Sequence, residues 1–537
     1  MNNKPYPLYS LPLIQDLKDM VTDRVRRTPD NIAFSYTGTD NEIVTITFRQ
    51  SKEDINALGT FLYANGFRDG AHIAVIGENS YEWIISFLAA ANGGNVAVPI
   101  GKEYSAEKIA ELLRQSDCTA VFVSKTYAHL VENIPDITVF CMADFPEYIS
   151  EGNRLIEEGN TEYIDYEVLA DSLGAIFFTS GTTGSAKGVM LSHRNMASDI
   201  NFAVKNFEPN GGTLAVLPFH HTFGLITAIF KVYHYGCSTF INKSLKTIQK
   251  DLKTVKPQTV FWVPLFVETF YKKIMETARK NSKEKTLASA AKVSDSLMRF
   301  GIDLRKTLFK SVKDAFGGNL EYVICGGAHL EPKYVKAFRT WGVNILNGYG
   351  ITECSPVVSV NRNFHWRDGS VGQILDGCRV KIAEDDEILV KGDNVMMGYY
   401  KDEEATSAVL QNGWYCTGDL GYIDEDGFLF ITGRKKNLII LSNGENVSPE
   451  EIESQILLDD AVSEIVVYGE NKKLVAEIFP DEAHIGDQGY FNKLIAEYNQ
   501  KQPPYKHIRQ VHLRDAEFEK NATKKILRYK VANKRQG

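Results

Sequence analysis

Short apolar runs alternate with amphipathic helical patterns in the first third of this 537-residue chain. HIAVIGEN, NVAVPI and TAVFVS are typical of buried strands, and the segments between them repeat apolar residues at helical spacing. Strands that alternate with helices in this way predict a mostly parallel sheet with helices on both faces. The predicted strands lie at 72–79, 95–100 and 119–124, and the predicted helices at 80–94 and 105–117.

The rest of the chain changes in character twice. A helical and strongly charged stretch runs from about 266 to 315. After residue 365, short strands separated by glycine turns predominate. The last hundred residues or so contain a helix, two strands and a second helix, a pattern that predicts a separate small α/β unit.

Composition excludes some classes of protein. The net charge of −8 argues against a general binder of nucleic acid or of anionic membranes, because such proteins need a basic surface, and it leaves a local basic face open. Seven scattered cysteines without a C-x-x-C pair indicate free thiols in a reducing compartment. The N-terminus does not resemble a signal peptide, and no apolar run approaches the roughly 18 residues of a membrane span. We therefore expect a soluble cytoplasmic protein without an integral membrane segment.

The segment FFTSGTTGSAKGVMLSHRN (177–195) combines three glycines and a lysine with many hydroxyls, after a short apolar run and before a helical pattern. It is not a Walker A loop, because Ala186 and Gly188 replace the second glycine and the hydroxyl residue that flank the lysine. Glycines permit close backbone approach, so the segment predicts a cradle for a polyphosphate. The hydroxyls before Lys187 are those of Thr179, Ser180, Thr182, Thr183 and Ser185.

This loop resembles the signature loop of the adenylate-forming superfamily, which includes acyl-CoA synthetases, luciferases and peptide-synthetase adenylation domains. Ala186 stands where that loop usually has proline. Five more segments resemble superfamily motifs in the same order: LPFHHTFG (217–224), NGYGITECSP (347–356), the T-G-D segment and hinge arginine (413–434), LIILSNGENVSPEEIE (438–453) and NATKKILR (521–528).

The resemblance implies ATP-dependent activation of a carboxylic acid to acyl-AMP with release of pyrophosphate, then transfer of the acyl group to the thiol of CoA. The long helical stretch, LSNGENVSPEEIE and the TKKIxR form of the last motif favour a fatty acyl-CoA ligase. Transfer to the phosphopantetheine of a separate acyl carrier protein stays open. The implied cofactors are ATP, Mg²⁺ and coenzyme A or that phosphopantetheine.

Catalytic roles also follow from the resemblance. Lys525 would neutralise charge at the α-phosphate, although Glu519 and Lys524 replace the proline and glycine of the family motif. Glu353, together with Thr179, would hold Mg²⁺. The implied catalytic set is Lys525, Thr352, Glu353 and His221.

The resemblance further assigns nucleotide contacts. Tyr349 would stack on adenine, Thr352 would reach the α-phosphate, and Asp419 with Arg434 would bind ribose. The implied binding set is Thr179, Ser180, Gly181, Thr182, Thr183, Gly184, Lys187, Gly327, Ala328, Asn347, Gly348, Tyr349, Gly350, Thr352, Asp419, Arg434, Lys436 and Gly444.

Pattern and resemblance together predict an α/β fold. A large N-terminal domain (1–433) would contain two mostly parallel, helix-covered sheets and a small β-rich subdomain. A hinge (434–437) would lead to a small, mobile α+β lid domain (438–537) that carries the catalytic lysine.

Other functions remain to be weighed. A serine acyl-hydrolase is indicated only by S-x-x-K at Ser289–Lys292, without a G-x-S-x-G companion. A non-catalytic nucleotide-binding relative would be expected to lack Glu353, Asp419 or Lys525. His221, beside His220, also fits a buried structural histidine. The expected partners are a small carboxylic acid and, as open alternatives, a carrier protein and peripheral contact with a membrane, but no nucleic acid.

Overall fold

A computed structural model describes residues 10–179, 186–207, 211–441, 446–459, 461–470, 473–520 and 526–533. By the density of their internal contacts, the residues form two compact units. The first comprises Met1–Val380 and Val390–Tyr415, and the second comprises Lys381–Leu389 and Cys416–Gly537.

The described helices are numbered in chain order. They are α1 (Leu17–Arg27), α2 (Phe48–Ala64), α3 (Tyr81–Asn92), α4 (Ala106–Gln115), α5 (Phe145–Glu157), α6 (Glu162–Asp165), α7 (His193–Val204), α8 (Lys231–Tyr235), α9 (Ile248–Val255), α10 (Pro264–Lys280), α11 (Glu284–Arg299), α12 (Arg305–Leu308), α13 (Lys310–Ala315), α14 (Pro332–Thr340), α15 (Glu403–Val409), α16 (Pro449–Ile456), α17 (Gln488–Gln500) and α18 (Arg528–Asn533).

The described strands are numbered in the same way. They are β1 (Ile32–Thr37), β2 (Ile43–Thr47), β3 (His72–Ile76), β4 (Val96–Pro99), β5 (Cys118–Val123), β6 (Thr138–Cys141), β7 (Leu173–Thr179), β8 (Lys187–Ser192), β9 (Thr213–Ala215), β10 (Thr239–Ile241), β11 (Thr259–Trp262), β12 (Tyr322–Cys325), β13 (Asn344–Gly350), β14 (Val357–Val360), β15 (Gln373–Ile374), β16 (Arg379–Ile382), β17 (Glu387–Lys391), β18 (Gly398–Tyr399), β19 (Leu410–Gln411), β20 (Trp414–Ile423), β21 (Leu429–Arg434), β22 (Ile439–Ile440), β23 (Asn446–Val447), β24 (Val462–Glu470), β25 (Lys473–Pro480) and β26 (Ile508–Leu513).

A seven-stranded sheet in the first unit has the order β18-β8-β7-β4-β3-β5-β6. Strands β7, β4, β3, β5 and β6 run parallel to one another, as the strand–helix alternation predicts. The predicted N-cap of α4 is confirmed, because the Ser105 side chain accepts a hydrogen bond from the Lys108 backbone amide. The predictions of β3, α3, β4, α4 and β5 are therefore confirmed in type and position.

The second large sheet has the order β15-β14-β13-β12-β11-β9-β10-β1-β2. Its central strands from β13 to β1 are parallel, and β14, β15 and β2 add antiparallel edges. A core that includes Trp262, Phe309, Phe316 and Phe338 covers one face. The prediction of two mostly parallel sheets in a large α/β domain is confirmed.

The phosphate-loop segment, FFTSGTTGSAKGVMLSHRN (177–195), ends in a helix as expected, but a strand comes before that helix. Residues Lys187–Ser192 form β8, which pairs antiparallel with β7, and α7 begins only at His193. Val189 and Leu191 alternate into the core, which is why this stretch is extended. Ser192 and Asn195 then form a capping box that begins the helix. The loop therefore connects two strands of a hairpin.

In the second unit, β20 and β21 form an antiparallel pair, and β24, β25 and β26 form a three-stranded sheet. The C-terminal core contains Ile452, Val467, Ala476, Phe491 and Ile495. The small C-terminal α/β unit expected from the sequence is thus confirmed, including α16, β24, β25 and α17. Within the described ranges, the helices include none with the length and apolar character needed to cross a membrane.

Candidate active site

Two residues flank the phosphate loop at the end of the β7–β8 hairpin where the loop joins the two strands. Thr179 is the last residue of β7, Lys187 is the first of β8, and the two lie opposite each other in the pairing register. The hairpin thus holds a hydroxyl and an amine at the base of the loop. The predicted loop residues Ser180, Gly181, Thr182, Thr183 and Gly184 lie outside the described residues.

The carboxyl ends of parallel strands β11, β12 and β13 meet at one edge of the nine-stranded sheet. Cys325 lies opposite Asn347 in the register, so the three residues Gly326, Gly327 and Ala328 after β12, the G-G-A segment, run beside the end of β13. Gly327 has φ +87°, a backbone conformation that side chains rarely adopt. This edge is where open α/β sheets usually bind ligands. It carries the predicted residues Gly327, Ala328, Asn347, Gly348, Tyr349 and Gly350.

Neighbouring atoms lie close to the glycines at this edge of the sheet. A Cβ on Gly350 would lie 2.3 Å from the Pro356 carbonyl oxygen, so position 350 does not accept a side chain without movement. A Cβ on Gly326 would lie 3.6 Å from Cζ of Phe223, which places the motif LPFHHTFG (217–224) beside the G-G-A segment. Glycine at these positions lets a ligand approach the backbone.

The side chain of Asn347 provides an available hydrogen-bonding group at this edge. Its Oδ1 is buried without a hydrogen-bond partner among the described residues, while its backbone oxygen accepts from the Asn361 backbone amide at 2.9 Å. Buried polar atoms are usually paired, so an unpaired acceptor here is suited to a donor on a ligand. The exocyclic amine of adenine is such a donor.

Glu353 lies in a short 3₁₀ turn, Thr352–Cys354, just after β13. The hydroxyl of Tyr399, on β18, donates to Glu353 Oε1 at 2.9 Å. The Tyr415 hydroxyl in turn hydrogen-bonds the Tyr399 hydroxyl. Both tyrosines are buried, so they orient the carboxylate from the protein interior.

Lys187 contacts the other side of this arrangement. Its Nζ lies 4.7 Å from the centroid of the Tyr399 ring, within the range of a cation–π interaction. Tyr399 therefore contacts both the lysine at the base of the phosphate loop and the carboxylate predicted to hold Mg²⁺. The structure brings together residues that are more than 160 positions apart in the chain, Lys187 and Glu353.

The electrostatic surroundings keep Tyr399 protonated. Burial, and then the Glu353 carboxylate, raise the pKa of Tyr399 well above its ordinary range. Burial and the same carboxylate also raise the pKa of Tyr415. Both phenols consequently stay hydrogen-bond donors at neutral pH.

The carboxylate fits the predicted metal. Mg²⁺ prefers hard oxygen ligands and is often held by one or two carboxylates together with substrate phosphates. Glu353 supplies such an oxygen, and Thr179 supplies a hydroxyl at the end of β7. In the described part of the chain, no group of three His, Cys, Asp or Glu side chains is arranged to hold a metal without substrate.

His221 lies just before a π-helix at Phe223–Phe230. Its ring is 4.2 Å from that of His220, centroid to centroid. His220 Nε2 is 3.7 Å from Glu103 Oε2, and burial lowers the pKa of His220. His221 is only half-buried. The motif therefore presents two adjacent imidazoles, of which the sequence analysis selected one.

In the second unit, the side chain of Asp419 is 4% exposed and its Oδ1 is 2.9 Å from Arg434 Nε. Asp419 also lies opposite Arg434 in the β20–β21 register. An oriented carboxylate next to a guanidinium offers both acceptors and donors, a combination suited to vicinal hydroxyls. The sequence predicted that these two residues act together, and the structure brings them into contact.

The segment after β21 is held by ion pairs. Lys435 Nζ is 2.7 Å from Asp385 Oδ2 and 2.8 Å from Glu387 Oε2. Burial, and then Arg434, lower the pKa of the next lysine, Lys436. Two further predicted site residues, Lys525 and Gly444, lie outside the described residues.

Sequence reasoning missed Tyr399 and Tyr415. Tyr399 is in the stretch MMGYYKDEE, and Tyr415 lies two positions before the T-G-D motif, which begins at Thr417. In the sequence, a tyrosine at either position is typical of a core residue, and no spacing rule connects it to Glu353. Only the pairing of β18 with β8 places the Tyr399 ring beside Lys187.

Comparison with known proteins identifies the family. The family model for AMP-binding enzyme matches residues 21–400, and the model for AMP-binding enzyme C-terminal domain matches residues 436–535. A long-chain-fatty-acid–CoA ligase of Mycobacterium bovis is 29% identical over 490 residues, which cover 86% of this chain and 81% of that protein. Long-chain-fatty-acid–CoA ligase 5 of Rattus norvegicus is 29% identical over 84% of this chain and 74% of that protein.

Solved structures share the fold. ATP-bound MatB from Rhodopseudomonas palustris superposes with a TM-score of 0.77 at 24% identity, over 97% of this chain and 98% of that one. The o-succinylbenzoate CoA synthetase of Bacillus subtilis, in complex with an acyl-adenylate intermediate, superposes with a TM-score of 0.73 at 23% identity, over 95% and 97% of the two chains. On the family models, which together match most of its length, this chain belongs to the AMP-binding enzyme family.

Proposed function

We propose that this protein is an AMP-forming acid–thiol ligase that acts on fatty acids. It would convert the acid and ATP to acyl-AMP and pyrophosphate, and then transfer the acyl group to coenzyme A. The observation that carries the proposal is the contact of Tyr399 with both Lys187 and Glu353. This contact joins the base of the phosphate loop to a carboxylate suited to Mg²⁺.

The first step forms a bond between a carboxylate oxygen and the α-phosphorus of ATP, and pyrophosphate leaves. Negative charge accumulates at the phosphates, so positioning and electrostatic stabilisation supply most of the catalysis. Lys187 and the loop amides would bind the β- and γ-phosphates, Thr352 the α-phosphate, and Lys525 the oxygens between acid and α-phosphate. Glu353 and Thr179 would hold Mg²⁺, which neutralises phosphate charge.

The nucleoside would be held by groups at the sheet edge and on β20. Asn347 Oδ1 would accept from adenine, Tyr349 would stack on the base, and Asp419 with Arg434 would bind the ribose hydroxyls. In the second step, the thiol sulfur attacks the acyl carbonyl carbon. The bond to AMP breaks, AMP leaves, and the thiol proton passes to solvent. His221 would line the route of the acyl group.

The acid is proposed from the relatives. Their names specify long-chain fatty acids, and they cover more than four-fifths of this chain. One of the solved structures is an o-succinylbenzoate CoA synthetase by its title, and both are too distant in sequence to indicate a substrate. The seven cysteines are free, which supports a cytoplasmic location.

Pyrophosphate release against a ladder of fatty acids tests the proposal. We expect release with long-chain acids, and thioester formation when CoA is added. Thioester formation only with a holo carrier protein would make the carrier the acceptor. Absence of release with every acid would favour a non-catalytic relative. Lys525→Ala should lower adenylate formation by about 100-fold, as expected for loss of a preorganised charge, whereas Lys524→Ala should not.

A further inference from the structure

A row of apolar side chains is exposed where α11 leads into α12. Phe300 is 81% exposed, an unusual value for a phenylalanine in a folded chain. Gly301 follows with φ +76° and open space around the position of a Cβ. The row, called the 298–308 patch below, consists of Met298, Phe300, Ile302, Leu304 and Leu308.

The 298–308 patch is not needed to attach α11 to the protein. Leu287, Ala290 and Ala291 on α11 pack against the core of the nine-stranded sheet. Ser294 on the same helix is also buried. The inner face of the helix is thus already covered, whereas the side chains of the patch leave between 36% and 81% of their surface exposed. Contiguous apolar surface of this kind usually marks an interaction site.

The stretch of sequence that carries the patch is rich in cations. Residues 279–310 contain nine Lys or Arg and three Asp or Glu, within a chain of net charge −8. Lys292 and Arg299 are exposed on α11, and Lys306 is exposed on α12. Some neighbours are paired internally, for example Arg305 with Asp303 at 2.8 Å. The segment as a whole keeps a local positive excess that opposes the charge of the rest of the protein.

We propose that the 298–308 patch docks on the surface of a bilayer that contains anionic phospholipids. Apolar side chains on a protruding turn insert at the level of the acyl chains, while surrounding lysines and arginines stay at the headgroups. The positive excess complements the negative surface of such a bilayer. An anionic bilayer would therefore contact both the apolar side chains of the patch and the cations of the same segment.

Other binding partners would match only the apolar side chains or only the cations. A second copy of the same surface would bring two positive segments together, which like-charge repulsion disfavours. An acidic carrier protein would complement the cations but does not require a phenylalanine exposed at the tip of a turn. A bilayer is also the phase in which a long-chain acid accumulates. The relevance of the long-chain acid rests on the proposed function, whereas the match of the exposed apolar side chains and cations to a bilayer does not.

Vesicle binding by the full-length protein tests this inference without any enzymatic turnover. Sedimentation with vesicles of phosphatidylcholine alone is compared with vesicles that contain phosphatidylglycerol, at low and high salt. We expect binding only to the anionic vesicles, weakened at high salt because screening shortens the electrostatic range. The double variant Phe300→Ser/Ile302→Ser should bind about tenfold or more weakly, because it removes the inserted apolar area.

Matched controls separate the patch from general surface effects. Leu169→Ser removes a leucine that is 70% exposed elsewhere in the first unit and should bind as the parent does. Lys292→Glu/Arg299→Glu should abolish the preference for anionic vesicles, whereas Lys125→Glu/Lys253→Glu should retain it. Thermal unfolding of each variant checks that it remains folded.

Three outcomes would overturn the inference. The first is that the parent does not bind anionic vesicles. The second is that the patch variants bind as well as the parent. The third is that the patch variants alter only self-association in sedimentation velocity, or only acyl transfer to an added holo carrier protein, which would assign the surface to a second copy or to the carrier. Loss of pyrophosphate release with intact vesicle binding would refute the proposed function alone.

Discussion

The hydroxyl of Tyr399 donates a 2.9 Å hydrogen bond to Oε1 of Glu353. The ring of the same tyrosine lies 4.7 Å from Lys187 Nζ, measured to its centroid. One buried side chain thus connects the lysine at the base of the phosphate loop with the carboxylate predicted to hold Mg²⁺. Tyr399 is a positioning residue by this geometry, and its two contacts can be removed separately.

Tyr399→Phe retains the ring and removes the hydrogen bond to Glu353. Hydrogen bonds to charged groups contribute about 1.5–3 kcal/mol, so we expect the apparent affinity for Mg²⁺ to fall about tenfold or more. Pyrophosphate release titrated with Mg²⁺ at saturating ATP measures this, and calorimetric titration of Mg²⁺ into the enzyme with a non-hydrolysable ATP analogue provides a readout without turnover.

Tyr400→Phe is the matched control for that variant. The Tyr400 hydroxyl donates to Asp117 at 2.6 Å in an exposed pair, so its loss should leave the Mg²⁺ titration unchanged. Tyr399→Leu should add a weaker affinity for ATP, because it also removes the contact with Lys187. Equal Mg²⁺ titrations for Tyr399→Phe and the parent would rule out the positioning role.

Asp419→Asn preserves shape and removes the charge next to Arg434. If the carboxylate accepts both ribose hydroxyls, kcat/KM for ATP should fall about tenfold to 100-fold. The parent enzyme should already use 2′-deoxy-ATP poorly. Steady-state kinetics with both nucleotides measures the effect.

Asp385→Asn serves as the control for Asp419, since it removes a carboxylate that pairs with Lys435 in the same unit. This variant should leave the ratio of kcat/KM for ATP to kcat/KM for 2′-deoxy-ATP unchanged. Similar rates of the parent enzyme with ATP and 2′-deoxy-ATP would count against the ribose assignment.

Lys436→Pro tests the proposed hinge. Adenylate formation needs Lys525 at the α-phosphate, whereas attack by the thiol needs this lysine to be removed from the site. We therefore expect the C-terminal domain to adopt two poses. Proline holds φ near −65° and prevents the backbone change on which a hinge depends. Acyl-adenylate formation should stay within about tenfold of the parent rate, while thioester synthesis falls much further. Single-turnover assays of each half-reaction distinguish the two effects.

Lys436→Ala removes the same side chain and leaves φ unconstrained, so it should affect thioester synthesis far less than Lys436→Pro does. Parallel losses of both half-reactions in the proline variant would remove the two-pose mechanism.

A buried histidine predicts how stability depends on pH. Burial lowers the pKa of His193 to about 4, partly opposed by a backbone contact at Ala91. The unfolded chain, with a pKa near 6.5, binds more protons between these values, so stability falls as the pH falls from about 6.5 to about 4. Each pKa unit corresponds to about 1.4 kcal/mol, so the titration of this residue lowers the free energy of unfolding by about 3 kcal/mol in total.

His193→Gln removes this titration. The midpoint temperature of the first unit, from calorimetry between about pH 7 and pH 5, should decline less steeply in this variant than in the parent. His129→Gln, at an exposed histidine, is the control and should decline as the parent does. An unchanged slope in His193→Gln would show that this imidazole does not titrate in that window.

The sequence by itself determined the α/β class, the strands and helices between 72 and 124, and the separate C-terminal unit. These follow from local periodicity, because β3, β4 and β5 are uniform apolar runs and Ser105 caps the helix between two of them. The motifs were sufficient to select Glu353, Asp419 and Arg434, whose residue types limit the chemistry they can perform.

Only the tertiary structure decided what these residues contact. Lys187 begins a strand, because Val189 and Leu191 alternate into the core, and β18 then pairs with that strand. This pairing places Tyr399 between Lys187 and Glu353. Side-chain contacts of this kind depend on strand order and register, which connect residues far apart in the chain and leave no periodic pattern in a single sequence.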